Sequence, residues 1–384
     1  MKNSSIKHKL DTKLIHAGEP RPGVLGAVSL PVFQSATYEY SGESTDYHDL
    51  RYIRLNNTPN HVALHQKLAA LENAEDALVF ASGMAAISTA LLTVLRAGDH
   101  VILQNCLYGG THDFATKDLP DYGIGHGFID AERPETWEKA LKPNTRALYV
   151  ETISNPMMKV ADLKALAAFA KKHGLVSMID NTFASPVNFR PIEWGFDISL
   201  HSATKYLNGH TDIVAGAAIG SKAIIAKIKH KLDHLGGSLD PHACFLLHRG
   251  LKTLGVRVRR QNESAGKLAK FLARHRAVKS VNYPGLGQKN AAKFLDGFGG
   301  MLSFELKGGL AAARKFMRRV TLPVVAPSLG GVESLVTRPA TTSHAGMTAN
   351  ERQALGITDS LVRVSVGLED AGDLIADFDQ ALKR

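Results

Sequence analysis

The sequence predicts an α/β fold: a mostly parallel sheet with helices on both faces, a smaller C-terminal α+β domain, and an N-terminal arm. Between about residues 60 and 220, strand-length apolar runs alternate with helical segments, the pattern of a parallel sheet covered on both sides. After about residue 250 the pattern changes to helices and alternating strands such as Gly300-Met-Leu-Ser-Phe-Glu-Leu306. The first 60 residues are rich in Gly and Pro, with little periodicity, and need a surface to pack on. These shifts divide the chain into an arm over 1–60, a ligand-binding α/β domain over 61–250 and an α+β domain over 251–384.

Five apolar runs read as strands: 77–81, 100–104, 147–150, 175–179 and 197–200. The segment 161–174 reads as a helix, because Leu163, Leu166, Ala167 and Ala170 recur at i, i+3, i+4 and i+7 before Gly174. Gly123-Ile-Gly-His-Gly127 lacks the spacing of a dinucleotide loop, and His61 with His65 lacks a third metal ligand. Neither motif is expected to bind a ligand, so no metal site is predicted.

Composition narrows the partners. No stretch approaches the ~20 apolar residues of a membrane span, and the basic start lacks a signal-peptide core. Two cysteines, Cys106 and Cys244, cannot frame a disulfide scaffold in 384 residues, which points to a reducing cytoplasm. The net charge is +10, densest over 252–276, where the charges alternate with Val256, Val258, Leu268, Phe271 and Leu272. That alternation reads as solvated faces of amphipathic helices, not a nucleic-acid surface.

In parallel α/β sheets, ligands bind beyond the carboxyl ends of strands. Ser82-Gly83-Met84 follows the first run and opens a helix, and Tyr108-Gly109-Gly110 follows the second. Glu151 to Pro156 follows the third, Asp180-Asn181-Thr182 the fourth, and His201-Ser202-Ala203-Thr204-Lys205 the fifth. This inventory suits a flat, anionic cofactor with a cationic ring and an aldehyde. Ser82 and Gly83 at a helix N-terminus suit a phosphate, with hydroxyls from Ser202 and Thr204. Asp180 can keep a pyridine nitrogen protonated, Lys205 can bond the aldehyde, and Tyr108 can stack on the ring.

The same residues carry a resemblance. Ser202-Ala-Thr-Lys-Tyr-Leu-Asn-Gly-His-Thr-Asp212 is very close to the lysine signature of the Cys/Met-metabolism (transsulfuration) family of fold-type-I pyridoxal-5′-phosphate (PLP) enzymes. Phe80-Ala-Ser-Gly-Met-Ala-Ala86, Leu107-Tyr-Gly-Gly-Thr111, Asp180-Asn-Thr-Phe183, Ser328-Leu-Gly-Gly331 and Arg363-Val-Ser-Val-Gly-Leu-Glu369 also match. The resemblance implies PLP bound to Lys205, with Asp180 and Tyr108 on the ring and Asn155 at its hydroxyl side. It adds Met84 and Thr182 to the cofactor site, and Ser328, Leu329 and Arg363 to the substrate side, with Arg363 gripping the α-carboxylate. Tyr52 and Arg54 fall where the family clamps the phosphate of a neighbouring subunit, although the turn after them, Leu55-Asn-Asn-Thr-Pro-Asn60, departs from its pattern. A homo-oligomer, a dimer of dimers, is implied, with a small amino acid as substrate.

Activity follows from the same resemblance: a carbon–sulfur lyase acting on cystathionine or related S-substituted amino acids. Three departures bear on the subtype. Pro327 stands where γ-acting relatives carry Glu, Asp113 where many of them carry Arg, and Gly110 where methionine γ-lyases carry Cys. Asp113 is expected to meet a distal ammonium of the substrate, which favours β-elimination. Gamma-elimination, or γ-replacement of the cystathionine γ-synthase or homoserine sulfhydrylase type, stays open.

Overall fold

A computed structural model of the chain describes residues 8–43, 47 and 50–383. Its larger sheet contains β1 (Asp76–Phe80), β2 (His100–Gln104), β3 (Gly125–Ile129), β4 (Thr145–Glu151), β5 (Val176–Asp180), β6 (Ile198–His201) and β7 (Gly216–Gly220). Their order is β1-β7-β6-β5-β4-β2-β3. Only β7 runs against its neighbours, β1 and β6. The other carboxyl ends therefore open along one edge.

Alternate residues of these strands feed two cores. Val79, Ile102, Leu148 and Ile179 face one, and Phe80, Leu103, Tyr149 and Met178 face the other. The helix Leu163–Lys172 starts where Asp162 accepts a hydrogen bond from the Ala165 N–H at 2.9 Å, and it buries the predicted apolar stripe. Gly174 follows at φ 63°, a left-handed stop.

Two strands were invisible to hydrophobic periodicity. The sequence of β3 is Gly-His-Gly-Phe-Ile, and a side chain at Gly127 would sit 3.1 Å from the His100 ring. β7 reads Gly-Ala-Ala-Ile-Gly, small because other backbone presses on it: a Cβ at Gly216 would lie 2.1 Å from the Ser82 carbonyl oxygen. That contact sets the start of the helix Gly83–Val94 beside the loop joining β6 to β7, which carries Lys205.

The second sheet holds β8 (Val278–Asn282), β9 (Met301–Leu306), β10 (Val324–Val325), β11 (Leu335–Thr337) and β12 (Leu361–Ser365), in the order β10-β11-β12-β9-β8. It packs on the helices Leu254–Arg274, Gly309–Arg319 and Ala371–Leu382 through Phe304, Phe316 and Phe378. The helix Leu254–Arg274 serves both parts: Leu254 and Val258 join a core of the large sheet, and Leu268 and Leu272 join the small one.

That helix departs from its predicted pattern of solvated charge. Arg257 is buried while Val256 is exposed. The Arg257 guanidinium donates to the carbonyls of Tyr206 (2.8 Å) and Leu207 (3.3 Å), in the loop after Lys205, and of Gly250 (2.8 Å), in the last turn of the helix Pro241–Leu251. It thereby fixes the chain just after Lys205.

Candidate active site

The open edge of the large sheet forms a cavity of about 620 Å³ whose far wall comes from the C-terminal part. Ser82, Gly83, Met84, Tyr108, Asn155, Asp180, Thr182, Ser202, Thr204, Lys205, Ser328, Leu329 and Arg363 all line it. Residues of five strand ends, one C-terminal loop and β12 thus meet in one space.

Lys205 belongs to the connection between the antiparallel strands β6 and β7. Thr204 closes that loop: its hydroxyl donates to the Ala215 carbonyl (3.1 Å) and accepts from the Ala215 N–H (2.9 Å). Lys205 Nζ donates to Ser328 Oγ at 2.6 Å. Burial, aided by the Arg363 charge, lowers the ammonium pKa to about 8, so a neutral amine is accessible near neutral pH. Ser328 occupies left-handed backbone at φ 87°, and the next residue but one, Gly330, lies at φ 76°. A Cβ at Gly330 would stand 2.7 Å from the Tyr206 nitrogen, so only glycine lets this turn approach the lysine loop.

Asp180, the last residue of β5, is buried, and burial raises its pKa. The Thr182 N–H (2.9 Å), the Tyr149 hydroxyl (3.4 Å) and the nearby His201 pull the other way. His201 in turn bonds Glu72 at 2.6 Å. Thr182 Oγ1 accepts the Ser202 N–H at 2.8 Å, linking the ends of β5 and β6.

Ser82 caps the helix Gly83–Val94 by accepting the Ala85 N–H at 3.0 Å. A Cβ at Gly83 would come within 2.8 Å of the Ser202 Cβ. This glycine cradle brings helix N–H groups and a serine hydroxyl together, a donor set for a phosphate.

Arg363, on β12, is buried at 4% exposure. It donates to Asn155 Oδ1 at 3.0 Å and, at 3.4 Å, to the Ser328 carbonyl. Burial lowers its pKa to about 10, which leaves it cationic at neutral pH. Tyr108 presents a half-exposed ring, and a Cβ at Gly110 would strike that ring at 2.5 Å. Glycine at 110 is therefore needed for the ring to lie as it does.

Three expected site residues lie off this wall. Asp113 turns outward, pairing with Lys117 at 3.0 Å one helical turn away, and its carboxylate lies against Gly346. It contributes nothing to the cavity lining. Tyr52 and Arg54 are exposed: the Arg54 guanidinium lies over the Tyr52 ring (5.6 Å) and donates to the Asp233 carbonyl (2.8 Å). The two histidines set aside as ligands hydrogen-bond locally, His61 to the Leu239 carbonyl (2.7 Å) and His65 to Asn56 (2.9 Å).

Several wall residues escaped the sequence reading. Pro327 was singled out there only for subtype, and Thr342 and Ser343 gave no local signal. Glu151 follows an apolar run in the sequence without a role assigned there, and in the structure it is the last residue of β4. It accepts the Tyr108 N–H (2.6 Å) and the Asn155 N–H (3.1 Å).

A half-buried lysine, a buried carboxylate, a phosphate-sized donor cradle and an arginine define an α/β enzyme built around a phosphorylated, cationic-ring cofactor. The chain belongs to the Cys/Met metabolism PLP-dependent enzyme family, whose model matches residues 11–383. It is 44% identical over 380 residues to cystathionine beta-lyase MetC of Bacillus subtilis, covering 97% of this chain and 96% of that protein. It is 43% identical over 382 residues to cystathionine gamma-lyase of the same organism, covering 98% and 99%. A crystal structure of cystathionine gamma-lyase from Lactobacillus plantarum complexed with L-serine matches with a TM-score of 0.93 at 36% identity, over 97% of this chain and 98% of that one. The cofactor is pyridoxal 5′-phosphate, and the cradle at Gly83 and the buried Asp180 fit its phosphate and its cationic ring.

Proposed function

We propose that this enzyme is a carbon–sulfur lyase acting on cystathionine and related S-substituted amino acids, with β-elimination favoured over γ-elimination. The observation that carries the reading is Lys205, with its ammonium pKa lowered to about 8, facing the same cavity as Arg363 and Asp180. Bound PLP supplies an aldehyde that captures amines and a ring that accepts electrons. Ser82, Gly83, Met84 and Ser202 would hold its phosphate end, with Thr204, whose hydroxyl proton goes to the Ala215 carbonyl, fixing the loop beside it, and Asp180, Asn155, Thr182 and Tyr108 would hold its ring.

Arg363 binds the substrate α-carboxylate and so orients the Cα–H bond toward Lys205. Lys205 Nζ, neutral once released, takes the proton from Cα. Ser328 Oγ holds that amine in place, and Leu329 closes the apolar side. β-Elimination of cystathionine with water then yields homocysteine, pyruvate and ammonia. Gamma-elimination would yield cysteine, 2-oxobutyrate and ammonia.

The preference for the β-position rests on Pro327, which puts an apolar ring on the wall where γ-acting relatives carry Glu. Exposed Tyr52, Arg54, Leu25 and Val28 support a homo-oligomer in which the arm meets a neighbouring subunit. No described helix is long and apolar enough to cross a membrane. The buried free thiols of Cys106 and Cys244 support a cytoplasmic setting.

Incubating purified protein with cystathionine and identifying the keto acid and thiol tests the reading. Pyruvate with homocysteine is expected. A predominance of 2-oxobutyrate with cysteine overturns the β-preference, and absence of both keto acids overturns the lyase assignment.

A further inference from the structure

Two buried side chains outside the proposed chemistry grip the same two pieces of backbone from opposite ends. Glu151 accepts the N–H of Tyr108 at 2.6 Å and that of Asn155 at 3.1 Å. His344 Nε2 lies 3.2 Å from the carbonyl oxygen of Leu107 and 3.1 Å from that of Asn155. The Leu107 carbonyl and the Tyr108 N–H are two ends of one peptide unit. That unit is held at both ends, as is the backbone of Asn155.

The chemistry of His344 is determined by its neighbours. Two carbonyl acceptors require Nε2 to carry the proton, and Nδ1 is then free to accept the Ser343 hydroxyl at 2.9 Å. Burial keeps the ring neutral, with a pKa near 4. A third contact makes the reach possible. A Cβ at Gly109 would lie 1.9 Å from the Ser343 carbonyl oxygen, so glycine there lets the 343–344 segment lie directly on the Tyr108 loop.

We propose that Glu151 and His344 form a backbone clip, a pair of positioning residues that set the Tyr108 ring and the Asn155 amide against the bound cofactor. The clip also joins the two parts of the molecule, since His344 follows β11 in the C-terminal part and Glu151 ends β4. Asn155 passes the constraint on, because its Oδ1 receives Arg363 at 3.0 Å. A C-terminal residue thus governs both the cofactor face and the arginine that meets the substrate. The kinetic consequence rests on the lyase reading; the structural one does not.

The test compares holoenzyme variants by hydrogen exchange with mass spectrometry and by steady-state kinetics. His344→Phe keeps ring volume and removes the donor, whereas His344→Gln puts an amide N–H at a similar reach. In the Phe variant, exchange is expected to rise on the order of tenfold in peptides covering 107–112 and 153–158, with no change over 278–306. Turnover number should fall by about tenfold and KM change less, with Gln restoring both readouts to within about threefold. Unchanged exchange in both loops, a rise spread evenly over the chain, or a Gln variant as impaired as Phe would each overturn the clip. Should the Phe variant not fold, Glu151→Gln carries the same test, because the two N–H groups meet different carboxylate oxygens and in glutamine one of those positions is an NH2, which cannot accept. It should loosen the same two loops, and tight loops in that variant refute the proposal. Faster exchange in the loops without detectable lyase activity in the wild type would overturn the lyase reading and leave the clip standing.

Discussion

Replacing Arg363 by Lys removes a fork while keeping a charge. In the wild type, Nη1 reaches Asn155 Oδ1 at 3.0 Å and Nη2 approaches the Ser328 carbonyl at 3.4 Å. The remaining face of the guanidinium is free to meet a carboxylate in the cavity. An ammonium is a point donor and cannot serve Asn155 and a substrate carboxylate in one plane. The loss of one hydrogen bond to a charged group is worth about 1.5–3 kcal/mol, which is roughly 10- to 150-fold in kcat/KM. Because the positive charge beside Lys205 is retained, and because burial is the larger cause of its lowered pKa, the pH profile should stay in place. The assay is keto-acid release from cystathionine across pH, with melting curves to show that the variant is folded. A folded Lys variant with kcat/KM within about threefold of wild type would refute the role given to Arg363.

Gly209→Ala should be strongly destabilising, by about 2–4 kcal/mol, because a Cβ there would lie 1.9 Å from Arg257 Nη1 at φ 76°; denaturant unfolding checks it. In the cofactor-free protein, Lys205→Met should stabilise by up to ~3 kcal/mol at pH 7. The folded pKa of about 8 lies below the unfolded 10.5, so the cost of the half-buried ammonium is complete below pH 8 and fades as pH rises to 10.5. A gain that persists undiminished at pH 10.5 would contradict this. Asp113→Ala should change KM for cystathionine by less than about twofold, because its carboxylate pairs with Lys117 at the surface. Mixing inactive Arg54→Ala with inactive Lys205→Ala should restore activity through mixed oligomers, and no recovery despite measured subunit exchange would place Arg54 outside a neighbour's site.

Much of the site was legible because its residues follow strands with clear apolar runs. Tyr108, Asp180 and Lys205 each come shortly after such a run, and the rule that ligands lie beyond strand ends gathers them without tertiary information. β3 and β7 were not legible, since glycine and alanine there answer to close neighbours and not to β-propensity. Arg257 read as surface charge because its carbonyl partners are the loop residues Tyr206 and Leu207 and a helix end at Gly250, which no sequence period marks. His344 left no signal at all: the carbonyls it reaches are 237 and 189 positions away in the chain. Asp113 misled for a related reason. A lysine one turn later draws its carboxylate outward, a pairing that its place in the motif does not reveal.

The central claim, that Lys205 carries the cofactor, is tested most directly by reducing the holoenzyme with borohydride and mapping the labelled peptide. A pyridoxyl group on Lys205, with no covalent labelling in Lys205→Ala, is the predicted result. Labelling at any other lysine would contradict the assignment of the site.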